Sequence, residues 1–194
     1  MKPYMIILTA LAFTWALSSC STKSDSQTNE NVKPSKDSLV KRGAYLVTTM
    51  GCGDCHSPKH MGPHGPEIDT MNILSGFPSN RPIPTADSKM IQNGSIVFNG
   101  DLTAAIGPWG TSFAANITSD ETGIGNWTEA QFKNALRNGK YMGMDGSRPL
   151  MPPMPWQDFR NLTDGDIQAI FYYLKSTRPF KNVVPAYIPP GMKK

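Results

Sequence analysis

The sequence predicts an all-α fold in which several helices are joined by long loops rich in proline and glycine. Three stretches repeat apolar residues at the three- and four-residue spacing of a helix face. The 17 prolines and 17 glycines, in a chain of 194 residues, leave much of the remainder to loops. Apolar residues make up 39% of the chain, which is enough for one core. We therefore expect one compact domain with an additional segment at each end.

The overall charge argues against nucleic-acid binding, and the cysteine count argues against a disulfide-stabilised fold. The formal net charge is +4, only 18% of residues are charged, and the basic residues are scattered along the chain. No basic run is interleaved with aromatic residues, so we expect no nucleic-acid partner. The three cysteines are odd in number and unevenly spaced, which is not the pattern of a disulfide framework.

The first 19 residues have the features of a bacterial lipoprotein signal peptide. Lys2 supplies a positive charge, and the apolar stretch from Met5 to Leu17 is too short to span a bilayer. The stretch ends in Leu17-Ser18-Ser19-Cys20, which resembles the lipobox of such signals. This resemblance implies cleavage before Cys20 and a lipid on that cysteine. The alternative is an ordinary signal peptide followed by an unrelated cysteine.

Residues 20–38 are predicted to form a lipidated cysteine and a disordered tether. Between Ser21 and Ser38 the only clearly apolar residue is Val32, so nothing there compensates for the entropy lost on ordering. A flexible chain of this length has a root-mean-square reach of about 20 to 25 Å. With a lipid on Cys20, the tether would hold the following domain near one membrane surface and raise its concentration near membrane partners.

The domain itself is predicted to span residues 39–180 and to begin with an amphipathic helix. Its apolar face carries five residues at helical spacing, and Gly51 then ends the helix. These five residues are Leu39, Gly43, Leu46, Val47 and Met50.

A C-x-x-C-H motif follows the first helix directly, at Cys52-Gly53-Asp54-Cys55-His56. In such a motif the two thiols add to the vinyl groups of one haem, and the histidine becomes the proximal iron ligand. Gly51 and Gly53 relieve crowding where the backbone runs against a porphyrin. The motif occurs once, so we predict one covalent haem c on Cys52 and Cys55, with His56 bound to its iron.

Three other interpretations of the two cysteines remain open at this point. A thioredoxin-like redox pair requires a βαβ context, which the sequence does not indicate. A structural zinc site requires a fourth ligand, which His60 or His64 could supply. A disulfide could also form in an oxidising compartment.

Two further helices and one strand are predicted in the rest of the domain. Thr128 and Gln131 form a capping box for a helix that runs to about Asn138 and is stopped by Gly139. Thr163 caps the last helix, whose apolar face carries Ile167, Ile170, Phe171 and Leu174. A short strand at Ile96-Val97-Phe98 precedes a turn at Asn99-Gly100-Asp101. The tail, residues 181–194, is rich in proline and is predicted to be irregular.

The second iron ligand is predicted to be a methionine, because thioether sulfur stabilises ferrous haem. The chain has 11 methionines, most of which we interpret as packing or surface residues. Met154 is bracketed by prolines, and a loop stiffened in this way can hold a weak ligand. Met151 is the alternative, and His60 and His64 are less favoured because they follow the haem motif closely.

The helix, the haem motif and the methionine loop together resemble class I cytochromes c. In particular they resemble the cytochrome subunits of membrane-bound alcohol and sugar-acid dehydrogenases, whose ligand loop reads M-P-[YW]-x-x-[YF] before L-[ST]-D-x-D. Here Met154 to Phe159 and Leu162 to Asp166 match these patterns. The resemblance implies a cytochrome c-like fold around the haem and places the distal ligand on Met154. It also implies that the last helix packs across the first at Gly43.

The segment from Asn116 to Trp127 resembles an N-I-T-x-D…T-G-I-G-x-W-[ST] stretch of the same subunits. The resemblance therefore extends over about residues 39–179. One hypothesis places Asn116, Thr118 or Trp109 near a haem propionate, and the alternative is a turn-rich structural loop. Relatives that serve dehydrogenases often carry three haem domains, whereas this sequence has one motif.

The resemblance implies electron transfer rather than catalysis. We expect a single-haem shuttle or electron-accepting subunit whose redox partners are a membrane dehydrogenase or respiratory complex. The lipid anchor would place it in the bacterial cell envelope with the haem domain outside the cytoplasm. An open iron site with peroxidase-like activity is the alternative, and a haem-based sensor is less favoured because no output domain is visible.

Overall fold

The computed structural model describes residues 34–192. The predicted signal peptide, Cys20 and most of the predicted tether lie outside the described residues. None of the helices in the described part of the chain is long and apolar enough to cross a membrane. The helices are α1 (Lys36–Thr49), α2 (Cys52–His56), α3 (Ser88–Gln92), α4 (Glu129–Asn138), α5 (Trp156–Phe159) and α6 (Asp164–Ser176). The strands are β1 (Lys59–Gly62), β2 (Gly65–Ile68), β3 (Val97–Phe98), β4 (Ala104–Gly107) and β5 (Gly110–Phe113).

The prediction of an all-α fold is wrong, because the chain also forms two antiparallel sheets. Strands β1 and β2 pair as a hairpin, and β3, β4 and β5 form a three-stranded sheet in that order. The long stretch between the haem motif and α4 contains many backbone polar groups, and strand pairing satisfies part of them. Each strand has only two to four residues, too few for an alternating apolar pattern to stand out in the sequence. The fold is therefore mixed α and β, with the short strand predicted near Val97 confirmed as β3.

Helices α1 and α6 pack against each other through the predicted close contact at Gly43. A Cβ atom at Gly43 would overlap the carbonyl oxygen of Ala169 and lie 2.6 Å from the Cβ atom of Tyr173. Arg42 on α1 forms an ion pair with Asp166 on α6, with 2.9 Å between Nε and Oδ1. Both helices direct their apolar faces into one core, which comprises Leu39, Leu46, Val47, Leu74, Ile124, Phe132, Leu136, Ile167, Ala169, Ile170, Phe171 and Leu174.

Helix α1 begins slightly earlier than the predicted domain boundary at Leu39. The hydroxyl of Ser35 accepts a hydrogen bond from the backbone N–H of Ser38 at 3.2 Å, and this cap starts the helix at Lys36. The helix ends as predicted, because Gly51 adopts a left-handed conformation with φ of 67°.

Helices α4 and α6 have the predicted caps. Thr128 and Gln131 exchange hydrogen bonds between side chain and backbone, at 3.2 Å and 2.9 Å, in a complete capping box. Thr163 accepts a hydrogen bond from the backbone N–H of Asp166 at 3.1 Å. Asp164, in the first turn of α6, accepts hydrogen bonds from Lys133 at 2.7 Å and Arg137 at 2.6 Å on α4. These contacts fix α4 beside the start of α6.

The C-terminal segment, residues 178–192, contains no helix or strand but is attached to the domain at several points. Asn182 is buried, and its side-chain amide donates to the carbonyl oxygens of Ser75 at 2.7 Å and Phe77 at 2.9 Å. Further along, Ile188 pairs with Thr111 of β5 in an isolated antiparallel bridge.

Candidate haem site

The haem motif forms a helical turn of its own at the end of α1. Gly51 separates the two helices, and the left-handed backbone at this position lets α2 start in a new direction. Cys52 and Cys55 are three residues apart within α2, so their side chains lie on one side of the turn. Two thiols on the same side of a single turn suit attachment to one porphyrin.

Both thiols are free in the structure and partly buried. Burial raises the pKa of the Cys52 thiol to about 11, and it also raises the pKa of the Cys55 thiol. Both are therefore neutral near pH 7. Neither thiol is therefore activated as a redox nucleophile, which goes against the thioredoxin-like interpretation of this pair.

His56 is held by a backbone carbonyl that lies 59 positions away in sequence. Its Nδ1 atom lies 2.7 Å from the carbonyl oxygen of Ala115, so this nitrogen carries the proton and donates it. Burial lowers the pKa of His56 below its ordinary value of 6.5, and the hydrogen bond to Ala115 offsets only part of this. The imidazole is therefore neutral near pH 7, with Nε2 unprotonated and able to bind iron.

Met154 and Cys52 are both half-buried and pack against the same apolar core. Met151 is also half-buried, but it is not among the residues that pack on that core. Two thiols, an imidazole nitrogen and a thioether sulfur are the donor set of a haem c with histidine and methionine ligands. The residue types present therefore fit this cofactor.

His60 and His64 are both exposed on the hairpin that follows the haem motif. His60 lies in β1 opposite Glu67 of β2, and His64 lies in the turn between the strands. Within residues 34–192, no group of three or more His, Cys, Asp or Glu side chains is arranged to hold a metal ion.

Strand β5 and the residues after it contact both segments that carry the predicted iron ligands. Ala115 accepts the hydrogen bond from His56, and three residues earlier the hydroxyl of Ser112 donates to the carbonyl oxygen of Pro152 at 2.5 Å. Sequence reasoning missed both residues. The acceptor on Ala115 is a backbone atom without a sequence signal, and a lone serine carries no recognisable pattern.

Asn116 and Thr118 fasten the C-terminal segment to the domain. The side-chain amide of Asn116 donates to the carbonyl oxygen of Phe180 at 2.8 Å and to the hydroxyl of Thr122 at 3.0 Å. The Asn116 side-chain oxygen accepts from the hydroxyl of Thr118 at 2.8 Å. Both residues are buried, and these bonds favour the structural interpretation of this loop over the propionate hypothesis.

A buried carboxylate joins the end of the haem motif to the three-stranded sheet. Asp101 accepts hydrogen bonds from the backbone N–H of Lys59 at 3.3 Å and from Thr103 and Arg81. The Lys59 ammonium in turn donates to the carbonyl oxygens of Asp101 and of Asp54 in α2. Asp101 thereby holds the backbone at Lys59, four residues after Cys55, against the three-stranded sheet.

Comparison with known proteins identifies relatives over much of the chain. A nicotinate dehydrogenase component of Pseudomonas putida is 46% identical over 80 residues, which cover 41% of this chain and 6% of that protein. The gluconate 2-dehydrogenase cytochrome c subunit of Pantoea cypripedii is 30% identical over 138 residues, 71% of this chain and 23% of that protein. The cytochrome c subunit of the quinone alcohol dehydrogenase of Gluconobacter oxydans is 28% identical over 145 residues, 74% and 22% of the two chains.

This chain resembles the cytochrome c subunits of dehydrogenases. The resemblance that the motifs predicted is thereby confirmed, and relatives of this kind imply a haem c cofactor. No protein-family model matches the chain. The chain spans less than a quarter of the length of each of these three relatives.

Proposed function

We propose that this chain binds one covalent haem c and transfers electrons with His56 and Met154 as the axial ligands of its iron. The observation that carries the proposal is the hydrogen bond between His56 and the Ala115 carbonyl. This bond uses Nδ1 and leaves Nε2 unprotonated, on a residue that directly follows Cys55 in the chain. The packing of Cys52 and Met154 on one core supports the assignment of the second ligand.

Cys52 and Cys55 of α2 would hold the haem through two thioether bonds. Each thiol would add across one haem vinyl group, its sulfur to one carbon and its hydrogen to the other, so that no atom would be lost and no external oxidant would be needed. A haem, when bound, supplies the one-electron change of its iron. The protein holds His56 and Met154 in place in both oxidation states and limits access of water.

Its partners are proposed to be redox proteins associated with a membrane. The relatives from Pantoea and Gluconobacter are named as subunits of dehydrogenases, and by analogy this chain would accept electrons from such an enzyme or from a respiratory complex. In this role it is a shuttle or an electron-accepting subunit and not itself an enzyme. Interfaces between transient redox partners are small, so one exposed haem edge would be sufficient for a partner to dock and exchange an electron.

A lipid on Cys20 is proposed to hold the protein at the outer side of a bacterial membrane. The chain expressed with its signal in bacteria should incorporate radiolabelled palmitate and partition with membranes, and the Cys20→Ser variant should lose the label. Absence of label from the wild-type chain, or label on the Cys20→Ser variant, would contradict the lipid anchor and leave the haem assignment untouched.

The decisive experiment is the absorption spectrum of the full chain, produced in cells that attach c-type haem. We expect a low-spin spectrum and the weak ferric sulfur-to-iron charge-transfer band. Met154→Ala should lose this band, whereas Met151→Ala, the matched control in the same loop, should retain it. Loss of the band in Met151→Ala alone would move the ligand to Met151. A high-spin wild-type spectrum that shifts with cyanide would instead indicate the open-site, peroxidase-like alternative.

A further inference from the structure

The ligand loop, residues 150–155, has few backbone groups with which to hold itself in place. Three of its six residues are prolines, which lack an N–H donor. The backbone N–H of Leu150 donates to the carbonyl oxygen of Gly139 at 2.7 Å, and that of Met154 donates to Met151 at 3.3 Å. The backbone between Leu150 and Met154 can therefore be fixed only by hydrogen bonds from residues outside the loop.

Ser112 supplies that partner. It is 7% exposed, and its hydroxyl donates to the carbonyl oxygen of Pro152 at 2.5 Å. Its other possible acceptor, the Ala105 carbonyl, is 3.4 Å away. Within the described part of the chain, no other side chain forms a hydrogen bond to the backbone of residues 151–155.

The Ser112 hydroxyl is itself oriented by a neighbour. The indole N–H of Trp109 donates to its oxygen at 3.2 Å. A hydroxyl that accepts one hydrogen bond becomes a better donor for the next. Two consecutive hydrogen bonds, from Trp109 to Ser112 and from Ser112 to Pro152, therefore connect strand β5 and its preceding turn to the ligand loop.

Strand β5 is held on both of its edges, so Ser112 cannot easily move with the loop. One edge pairs with β4, with Ala105 opposite Ser112. On the other edge Thr111 pairs with Ile188, with hydrogen bonds of 2.8 Å and 3.0 Å. The hydroxyl of Tyr187 also donates to the carbonyl oxygen of Trp109 at 2.5 Å. The sheet and the C-terminal segment together form a rigid support for the ligand loop.

We propose that Ser112 is a positioning residue that keeps the Met154 thioether bound to the iron and thereby raises the redox potential. The proposal rests on the proposed function above, in which Met154 is the axial ligand. Ser112 acts on the ligand through the Pro152 backbone, two residues away. Without the hydroxyl, the Pro152 carbonyl loses its donor, the loop moves more freely, and external ligands compete more easily with the thioether.

The test compares haem-loaded full-length protein with Ser112→Ala in three measurements: the charge-transfer band, the midpoint potential and the affinity of ferric iron for imidazole. One net hydrogen bond corresponds to about a fivefold change in an equilibrium constant. We therefore expect Ser112→Ala to bind imidazole about fivefold more tightly and to have a lower potential, since a thioether favours ferrous iron. Ser112→Thr, which keeps the hydroxyl, should restore most of the difference.

Ser119→Ala is the matched control. The hydroxyl of Ser119 donates to the carbonyl oxygen of Thr177 at 2.6 Å, the same kind of bond between two residues that lie outside the ligand loop. It should lower stability without changing the imidazole affinity or the potential. If Ser112→Ala fails to fold, Trp109→Phe removes the donor behind the hydroxyl and should shift all three measurements in the same direction by a smaller amount.

Unchanged imidazole affinity and potential in Ser112→Ala would overturn the proposal, as would an equal change in Ser119→Ala. Failure of the proposed function would look different. The wild-type protein would then lack the charge-transfer band before any variant is compared.

Discussion

Gly43 in α1 lies directly against the carbonyl oxygen of Ala169 in α6, with no room for a Cβ atom between the two helices. This contact lets the two helices approach at the backbone level. The neighbouring ion pair between Arg42 and Asp166 adds a polar contact at the same crossing. The crossing packs α1, the helix that leads into the haem motif, against the last helix.

Gly43→Ala should therefore destabilise the protein by about 2 kcal/mol, because the added methyl group overlaps backbone atoms that cannot give way. Denaturant unfolding of the haem-loaded protein measures this. Gly165→Ala is the matched control, because the space around Gly165 is open and alanine favours the helix by up to about 1 kcal/mol. Equal stability of the two variants would refute the close contact.

Asn182→Ala should be among the most destabilising substitutions in the C-terminal segment. The Asn182 side chain donates to two carbonyl oxygens and accepts from the N–H of Ser79 at 2.9 Å. Loss of three buried bonds at about 1 kcal/mol each gives about 3 kcal/mol. Asn138→Ala is the control, since its exposed amide donates a hydrogen bond to Asn134, also on α4, at 2.7 Å, and it should change the unfolding free energy by less than about 0.5 kcal/mol.

Asp101 makes stability depend on pH in the acidic range. Burial raises the pKa of its carboxyl, but hydrogen bonds from Thr103 and Arg81 outweigh this and hold the pKa below the ordinary 3.8. A lowered folded pKa means that the stabilisation is complete above pH 3.8 and is lost as the pH falls through the folded value.

Asp101→Asn should cost about 2 kcal/mol near neutral pH, since Arg81 is partly exposed and its charge is partly screened. The difference between the unfolding free energies of the two proteins, measured from pH 7 downwards, should begin to narrow near pH 3.8 and shrink further as the pH falls towards the folded pKa. A difference that stays constant with pH would mean that the charge of Asp101 does not contribute.

The fold should depend on its haem. Twelve buried residues form the core, and the half-buried Cys52 and Met154 lie at its edge, where a porphyrin would complete it. The Cys52→Ala/Cys55→Ala double variant should therefore lack a cooperative thermal transition monitored by circular dichroism. Cys20→Ser, which leaves the haem motif intact, should unfold cooperatively. A cooperative transition in the double variant would contradict this expectation.

Local signals in the sequence predicted the three longest helices, α1, α4 and α6, but not the short helices α2, α3 and α5. The caps at Thr128 and Thr163, and the end of α1 at Gly51, depend on residues only three or four positions apart. The close contact at Gly43 was also expected, from the resemblance to class I cytochromes c. The caps and the helix end can be predicted from neighbouring residues without knowing how the rest of the chain folds.

The sheets and the supports of the site could not be predicted in the same way. Strands of two to four residues give no readable alternation, and their pairing depends on the packing of the whole domain. The hydrogen bonds from His56 to Ala115 and from Ser112 to Pro152 join positions 59 and 40 residues apart. Both end on backbone carbonyls, which every residue possesses, so no residue type marks them in the sequence.

The two supports differ in how they respond to mutation. The acceptor that orients His56 is the Ala115 carbonyl, and a substitution of that side chain leaves the carbonyl in place. The donor that restrains the methionine loop is the side chain of Ser112, which a single nucleotide change can remove. The hydrogen bond that orients His56 is therefore insensitive to most substitutions at Ala115. The restraint on the methionine loop, by contrast, can be changed by single substitutions at Ser112. A laboratory evolution experiment that selects for altered potential should accumulate changes around Ser112 and Trp109 and leave the His56 contact intact.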